Sequence, residues 1–141
     1  MEGNCLGISE TGSGKTLAYV LPMIRHVQSR IASIKLNSEG KNYKSKEVNG
    51  PIVLILVPTR ELATQICEEI RSFTNCLHIE TTCLFSGSNL GNQINDLKRG
   101  VDIAVATPAR LIELLCLSNG KVTNLTRTTF VVLDEADRMM I

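Results

Sequence analysis

Short apolar runs alternate along the chain with longer segments in which apolar residues recur at helical spacing. The runs are partly β-branched, as in buried strands, and occupy residues 5–8, 51–57, 78–85, 102–107 and 129–134. The amphipathic segments predict helices at 15–32, 60–73, 89–99 and 108–117. Because strands that are apolar on both faces are typical of parallel sheets covered by helices, this order predicts a three-layer α/β fold with a mainly parallel sheet. Ligands of such sheets bind at the carboxyl ends of the strands.

One polar segment interrupts this alternation. Residues 33–50 are rich in Lys, Asn, Ser and Gly and lack a sustained period, which predicts a mobile surface insertion. The segment carries four lysines against two glutamates, so a second interpretation is a basic arm that touches nucleic acid.

Composition narrows the class of protein without naming a partner. The 141 residues are 43% hydrophobic and 21% charged, with a formal net charge of +1, which predicts a single globular domain over 1–141. No apolar stretch approaches the roughly 20 residues of a membrane span. The N-terminus has an acid, Glu2, and no basic region before an apolar segment, so it does not resemble a secretory signal. We therefore expect an intracellular protein without a membrane contact.

The cysteines exclude two further classes. The five cysteines are an odd number and contain no C-x-x-C pair, which argues against a disulfide framework and against a zinc site. We expect reduced and mostly buried thiols.

A glycine-rich stretch between the first predicted strand and the first predicted helix has the features of a phosphate-binding loop. In "SETGSGKT", at 9–16, glycines would let consecutive backbone N–H groups point at phosphate oxygens, at the N-terminus of the following helix. Lys15 would reach the β- and γ-phosphates, and the Thr16 hydroxyl would bind Mg²⁺. The nucleotide-binding residues predicted in this way are Thr11, Gly12, Ser13, Gly14, Lys15 and Thr16. Ser9 replaces the first glycine of the usual pattern, and the alternative is a simple connecting turn.

Two carboxylates follow the last predicted strand, in "TFVVLDEADRMMI". A strand that ends in an acid is the usual companion of a phosphate-binding loop, because the carboxylate holds the Mg²⁺ shell. We assign that role to Asp134. A neighbouring glutamate can activate the attacking water, which makes Glu135 the predicted general base beside the catalytic Lys15 and Asp134.

With "SETGSGKT" and "DEAD" in one chain, the sequence resembles the first RecA-like domain of a DEAD-box RNA helicase. "PTRELA" at 58–63 and "TPAR" at 107–110 fall in the order that this family shows, so the resemblance covers nearly the whole chain. It implies ATP and Mg²⁺ as cofactors. It also implies that 1–141 is a partial domain, truncated at both ends, that turns over ATP poorly without the second RecA-like domain and its arginines.

The same resemblance implies an RNA surface. By matching positions, the residues that would hold the RNA backbone without reading bases are Pro58, Thr59, Arg60, Gly87, Thr107 and Arg110. The alternative for "PTRELA" is a helix start in which Arg60 and Glu61 form a solvated charge pair. Ala109 and Ser86 stand where the family usually has glycine, which would weaken RNA binding if either position needs a positive φ or direct packing against the RNA sugar. Asp137, an internal tether in the family, has no assigned role here.

The function predicted from these motifs is RNA-stimulated ATP hydrolysis coupled to RNA remodelling. The segment "LKRGVDIAVATPARLIELL" is similar to the Prp-five type of DEAD-box ATPase. This similarity implies pre-mRNA splicing, a nuclear location and spliceosomal protein partners. Two alternatives stay open: a stand-alone nucleotide- or RNA-binding module, and a P-loop ATPase that acts on a substrate other than RNA.

Overall fold

A computed structural model describes residues 3–9, 14–37 and 50–140 of the chain. Its β-strands are β1 (Val53–Leu56), β2 (Thr81–Leu84), β3 (Ile103–Ala106) and β4 (Phe130–Leu133). They form one four-stranded sheet in the order β2, β3, β1, β4. Every pair of neighbours is parallel, so the carboxyl ends of all these strands lie at the same edge.

Helices follow each strand and also precede the sheet. They are α1 (Lys15–Asn37), α2 (Arg60–Thr74), α3 (Leu90–Arg99), α4 (Pro108–Cys116) and the short α5 (Ala136–Met139). Their starts use standard capping chemistry: the Thr59 hydroxyl accepts from the Leu62 N–H, and the Asn89 side-chain oxygen Oδ1 accepts from the Asn92 N–H. Pro108 opens α4, where a missing N–H costs nothing.

Alternate residues of the central strands point into two separate apolar layers. On one face, Val53 and Ile55 of β1 pack in a cluster with α1 and α2 residues such as Val27 and Ile66. On the other face, Leu54 belongs to a cluster formed with α3 and α4. This α/β/α layering explains why the strands are apolar throughout, and it confirms the predicted three-layer fold.

The edge strand β4 is covered on one face only. Phe130 and Val132 pack against the α1 and α2 layer, whereas Val131 and Leu133 are each 57% exposed. The prediction that both faces are covered therefore holds for the inner strands but not for β4 within the described part of the chain.

Two predicted elements differ from those observed. The strand predicted at 5–8 is wrong for this structure: residues 3–9 contain no regular element, and Leu6 and Ile8 are 85% and 89% exposed. Gly7 interrupts this short run, and the segment has no ladder partner to offset the entropy that glycine loses on ordering. The insertion predicted at 33–50 begins later than expected, because α1 continues to Asn37. Residues 38–49 lie outside the described part, so the predicted mobility of that segment stays a prediction.

The thiols are free, as expected, but they are not mostly buried. Cys67 is buried and Cys83 is half-buried, while Cys5, Cys76 and Cys116 are exposed. In the ranges that the structure describes, no helix is long and apolar enough to cross a membrane.

Candidate nucleotide and RNA site

The predicted functional residues that the structure describes lie at the carboxyl edge of the sheet. Backbone ladders continue to this edge, with the Val57 N–H bonded to Ala106 O at 3.0 Å and the Asp134 N–H bonded to Leu56 O at 3.0 Å. The residues that follow the strands therefore start from fixed positions. They separate along the edge into a half at the end of β4, beside α1, and a half at the ends of β1, β2 and β3.

The first half begins at the N-terminus of α1. Gly14 has φ +84°, a value that favours glycine, and its carbonyl accepts the first helical bond from Ala18 at 3.1 Å. Lys15 Nζ donates to the Ser9 carbonyl at 2.6 Å, so the lysine spans the two ends of the predicted loop. Thr11, Gly12 and Ser13 lie outside the described residues, and their nucleotide contacts stay predictions.

Tyr19, one turn further along α1, joins the helix to β4. Its hydroxyl donates to Asp134 Oδ2 at 2.9 Å. The Thr16 side chain, one turn earlier on α1, lies close enough to the same hydroxyl to lower its pKa slightly. Burial first, and then the negative charge of Asp134, raise the pKa of Tyr19 far above its usual value. The hydroxyl is therefore protonated at neutral pH and acts as a donor to the carboxylate.

Glu135 is held beside Asp134 in a strained backbone conformation. Its φ and ψ are +52° and +46°, in the left-handed region that non-glycine residues seldom occupy. Its carboxylate pairs with Arg138 at 3.1 Å, one turn into α5. Asp137 is exposed on α5. This left-handed conformation turns the chain sharply after β4. Asp134 and Glu135 therefore follow the end of the strand without extending it.

The donor set at this half fits a hard divalent cation bound together with phosphates. A threonine hydroxyl and a carboxylate, both within reach of one tyrosine hydroxyl, supply the oxygen ligands that Mg²⁺ prefers. Among the described residues, no three His, Cys, Asp or Glu side chains cluster as a metal site. Mg²⁺ commonly keeps several waters and takes one or two protein ligands beside substrate phosphates, so a site with few protein ligands is consistent with Mg²⁺ binding.

The second half begins at the first turn of α2, where Thr59 and Arg60 are exposed and Pro58 is half-buried. Arg60 Nε donates to Glu61 Oε1 at 2.9 Å, and this bond is the main cause of a lowered Glu61 pKa. The solvated charge pair that the sequence left open as an alternative is thus present. The pair leaves the far end of Arg60 directed elsewhere: Nη1 lies 3.3 Å from the position that a Cβ on Gly87 would occupy.

Gly87 brings the loop after β2 next to Arg60. Its φ of +92° is the conformation that glycine adopts without strain. Neither of the two departures from the family pattern falls at a residue with positive φ. Ala109 is a helical residue of α4, and Ser86 is not among the described residues with positive φ. A loss of RNA affinity through a positive φ is therefore not expected, whereas a loss through direct packing against the RNA sugar stays a prediction.

Thr107 and Arg110 extend the second half at the end of β3. Thr107 is buried, its N–H bonds to Leu84 O at 2.9 Å, and its hydroxyl makes no capping bond to α4. The Arg110 side chain is only 9% exposed and pairs with Glu113 at 3.0 Å. Its Nη1 also donates to the buried Gln93 Oε1 at 3.2 Å. The predicted arginine is thus oriented from inside the protein, although it was expected on an open surface.

Sequence reasoning missed Tyr19 and Gln93. Both occupy positions that look like ordinary helix residues: Tyr19 follows the apolar period of α1, and Gln93 lies among the polar residues of α3. A glutamine that is 4% exposed on a helix with a polar composition is unusual, but burial is visible only in the folded chain.

A parallel sheet with Asp134 at a strand end, beside a helix that begins with Lys15 and Thr16, has the architecture of P-loop α/β domains. The family model of the DEAD/DEAH box helicases matches residues 1–140. The chain belongs to the DEAD/DEAH box helicase family.

Individual relatives agree with this membership. The chain is 52% identical over 134 residues to the pre-mRNA-processing ATP-dependent RNA helicase PRP5 of Lodderomyces elongisporus. The matched region covers 95% of this chain and 12% of that protein. It is 49% identical to DEAD-box ATP-dependent RNA helicase 42 of Oryza sativa subsp. japonica, over 96% of this chain and 12% of the relative.

The fold is also that of solved family members. The crystal structure of the yeast DEAD-box splicing factor Prp28 is 35% identical, has a TM-score of 0.74, and is matched over 94% of this chain and 28% of that one. This likeness confirms the predicted RecA-like architecture. The chain spans about an eighth of the length of the curated relatives described above.

Proposed function

We propose that the chain is the ATP-binding part of an ATP-dependent RNA helicase that couples RNA-stimulated ATP hydrolysis to RNA remodelling. The observation that carries the proposal is the hydrogen bond from the Tyr19 hydroxyl to Asp134, which holds that carboxylate beside the start of α1 at the edge where Arg60 and Thr107 also lie. Family membership supports the same activity, since the named relatives are ATP-dependent RNA helicases.

Phosphate binding in this proposal belongs to the start of α1. The Lys15 ammonium carries the positive charge that phosphate oxygens need, and the backbone of Thr11, Gly12, Ser13 and Gly14 would supply N–H donors at the helix N-terminus. Lys15 Nζ now binds the Ser9 carbonyl, a neutral acceptor. Exchange of that neutral acceptor for an anionic phosphate oxygen gives a stronger bond, because both partners then carry charge.

Thr16 and Asp134 would hold Mg²⁺, and neutralisation of phosphate charge is the chemistry that the ion supplies when bound. Glu135 would accept a proton from the attacking water. Its left-handed backbone conformation and its ion pair with Arg138 restrict the carboxylate to the turn that follows Asp134. Replacement of Glu135 by glutamine would therefore remove the general base but keep the size and hydrogen bonding of the side chain.

RNA binding belongs to the other half of the edge. Thr59, Arg60, Gly87 and Thr107 offer hydroxyl, guanidinium and backbone groups, which suit phosphates and sugars and carry no base information. Pro58 would contribute packing at the end of β1. Arg110 would contribute from the first turn of α4, with its guanidinium already oriented by Gln93 and Glu113.

We further propose a role in pre-mRNA splicing, in the nucleus and with spliceosomal proteins as partners. The support is the likeness to PRP5, whose name states pre-mRNA processing, and to the splicing factor Prp28.

The decisive experiment measures ATP hydrolysis with and without single-stranded RNA, in the longest natural protein that carries this chain. We expect RNA to stimulate hydrolysis, and Glu135→Gln to lower the rate by roughly 10²–10⁴ while nucleotide binding is retained. Glu68→Gln, the same change at an exposed position of α2, is the matched control and should have no effect.

The outcome also separates the alternatives. A stand-alone binding module would bind ATP or RNA without hydrolysis in any longer protein. A P-loop ATPase for another substrate would hydrolyse ATP, but DNA or a protein would stimulate it and RNA would not.

A further inference from the structure

A buried amide, Gln93, connects the loop after β2 to the helix after β3. The residue is 4% exposed on α3. Its Nε2 donates to the Phe85 carbonyl at 3.0 Å and also to Ser88 Oγ. Its Oε1 accepts from Arg110 Nη1 at 3.2 Å. Both amide protons and the amide oxygen are thus used, which is the full satisfaction that burial of a polar side chain requires.

Arg110 depends on this contact for its direction. The guanidinium is planar, so a hydrogen bond to one of its nitrogens restricts where the others point. Gln93 accepts such a bond from Nη1, whereas Glu113 lies 3.0 Å from Nε as an ion pair without hydrogen-bond geometry. Glu113 is on α4, as Arg110 is, so it cannot fix the arginine relative to another element. Gln93 is on α3, so its bond fixes Arg110 relative to a neighbouring helix.

The loop that Gln93 holds contains Gly87. Phe85 and Ser88, the two acceptors of the amide, flank the residue whose backbone lies beside Arg60. The hydrogen bonds from Nε2 thus fix both sides of the turn at Gly87. On the opposite side of the amide, Arg110 lies three residues after Thr107.

We propose that Gln93 is a positioning residue for RNA: it sets the spacing between the Gly87 loop and the first turn of α4, and so aligns these two contacts with successive phosphates of one strand. The proposal rests on the proposed RNA binding and goes beyond it by naming a residue that touches no RNA. Gln93 acts through Phe85, Ser88 and Arg110, all of which it contacts directly.

Glutamine suits this position for a chemical reason. A glutamate of the same length would keep the acceptor for Arg110 but would lose both donors, and it would place a charge against the Phe85 carbonyl. Asparagine is one methylene shorter and cannot span the same distance. Gln93→Glu therefore releases the Gly87 loop while it preserves the bond to Arg110.

The test compares Gln93→Glu with Asn95→Asp, the same amide-to-carboxylate change at an exposed position two residues along α3. Both are made in the longest natural protein that carries the chain. The measurements are the affinity for a fluorescent single-stranded oligouridylate, the affinity for ADP, and the RNA concentration that half-stimulates ATP hydrolysis. We expect about tenfold weaker RNA binding and about tenfold higher half-stimulating RNA for Gln93→Glu, as for misplaced hydrogen-bonding groups. ADP affinity and the rate at saturating RNA should stay at wild-type values, and Asn95→Asp should match the wild type throughout.

A second variant keeps the proposal testable if Gln93→Glu folds poorly. Ser88→Ala removes one of the two acceptors of Nε2 and leaves Phe85 in place, so we expect a smaller loss of RNA affinity, again without a change in ADP affinity. Wild-type RNA affinity in a folded Gln93→Glu protein, or in Ser88→Ala if only that variant folds, would overturn the positioning role and leave the proposed function intact. A wild-type protein that binds no RNA would instead overturn the proposed function. Equal losses of RNA and ADP affinity would show a purely structural role.

Discussion

Tyr19 Oη donates a 2.9 Å hydrogen bond to Asp134 Oδ2 across 115 residues of sequence. The bond joins the first helix to the end of β4 and places a donor on the carboxylate that we assign to the Mg²⁺ shell. Because the pKa of Tyr19 is raised by burial and by Asp134, the hydroxyl does not ionise near neutral pH. Tyr19 is therefore a constant anchor for Asp134, and it stays a donor over the whole physiological range.

Tyr19→Phe should weaken binding of nucleotide in the presence of Mg²⁺. The ring is retained, so packing against the core is kept, and only the hydrogen bond that orients Asp134 is lost. Loss of a partner that orients a metal ligand costs about 10–100-fold in metal affinity. Calorimetric titration with ADP and Mg²⁺ measures the effect, and titration with ADP and a chelator is the control, in which the two proteins should bind equally. An equal Mg²⁺ dependence in the two proteins would contradict the anchoring role.

The sequence predicts the inner sheet well because each of its strands has a strong local signal. Residues 51–57 are apolar at every position, and the strand observed there, Val53–Leu56, is buried on both faces. The same signal misleads at 5–8, where the residues are apolar but Leu6 and Ile8 are exposed. A strand needs a neighbour, and composition does not report whether a neighbour is available.

The functional site is predictable to the extent that it follows strand ends. Asp134 and Thr107 come directly after β4 and β3, so their meeting at one edge follows from a parallel sheet. The contacts made by Tyr19 and Gln93 could not be predicted in this way. Each depends on a helix side chain that reaches a residue on another element, and such pairs leave no periodic trace in the sequence.

Arg60→Ala should lower RNA affinity equally for all base sequences. The guanidinium is exposed and lies beside Gly87, and we propose that it contacts phosphate. Loss of one phosphate contact should make the slope of log affinity against log salt shallower by about 1. Fluorescence anisotropy over a salt series measures the slope. Arg99→Ala is the control. Arg99 is also exposed, but it lies at the C-terminal end of α3, and only the N-terminal end of this helix lies at the functional edge. A variant that changed sequence preference at constant affinity would argue for base contacts.

Asp102→Ala should destabilise the fold strongly without a direct effect on the functional edge. Asp102 precedes β3 at the opposite, amino end of the sheet, where it is 3% exposed. Its carboxylate binds Arg127 at 3.0 Å and accepts from the Glu80 N–H at 3.0 Å. Removal of one partner from a buried ion pair costs about 3–5 kcal/mol, since the remaining charge is left uncompensated. Urea denaturation measures the free energy of unfolding. Asp96→Ala, which removes an exposed partner of Arg99, should cost under about 1 kcal/mol. Similar losses of unfolding free energy for the two variants would show that the buried Asp102–Arg127 pair contributes no more to stability than an exposed ion pair does.

Acidification should destabilise the protein in part through His26. The ring contacts the Thr129 hydroxyl at 2.7 Å and lies 5.5 Å from the Phe130 ring, where α1 meets the start of β4. Burial first, and then the positive charge of Arg30, lower the pKa of His26 below its usual value. The unfolded chain therefore binds this proton more tightly than the folded chain does. The stability that neutral His26 contributes is fully present above about pH 6.5, the usual value, and is lost as the pH falls through the folded-state pKa.

Thermal melts between about pH 7.5 and pH 5.5, the range in which an ordinary histidine titrates, should therefore show a falling melting temperature in the wild type. In His26→Gln the fall should be shallower, because glutamine can still hydrogen-bond Thr129 but takes up no proton. His78→Asn is the matched control: His78 is exposed, and asparagine tolerates its φ of +53°. The control should retain the wild-type pH dependence. If His26→Gln lost stability on acidification as steeply as the wild type, the proton that destabilises the fold would have to bind at another group.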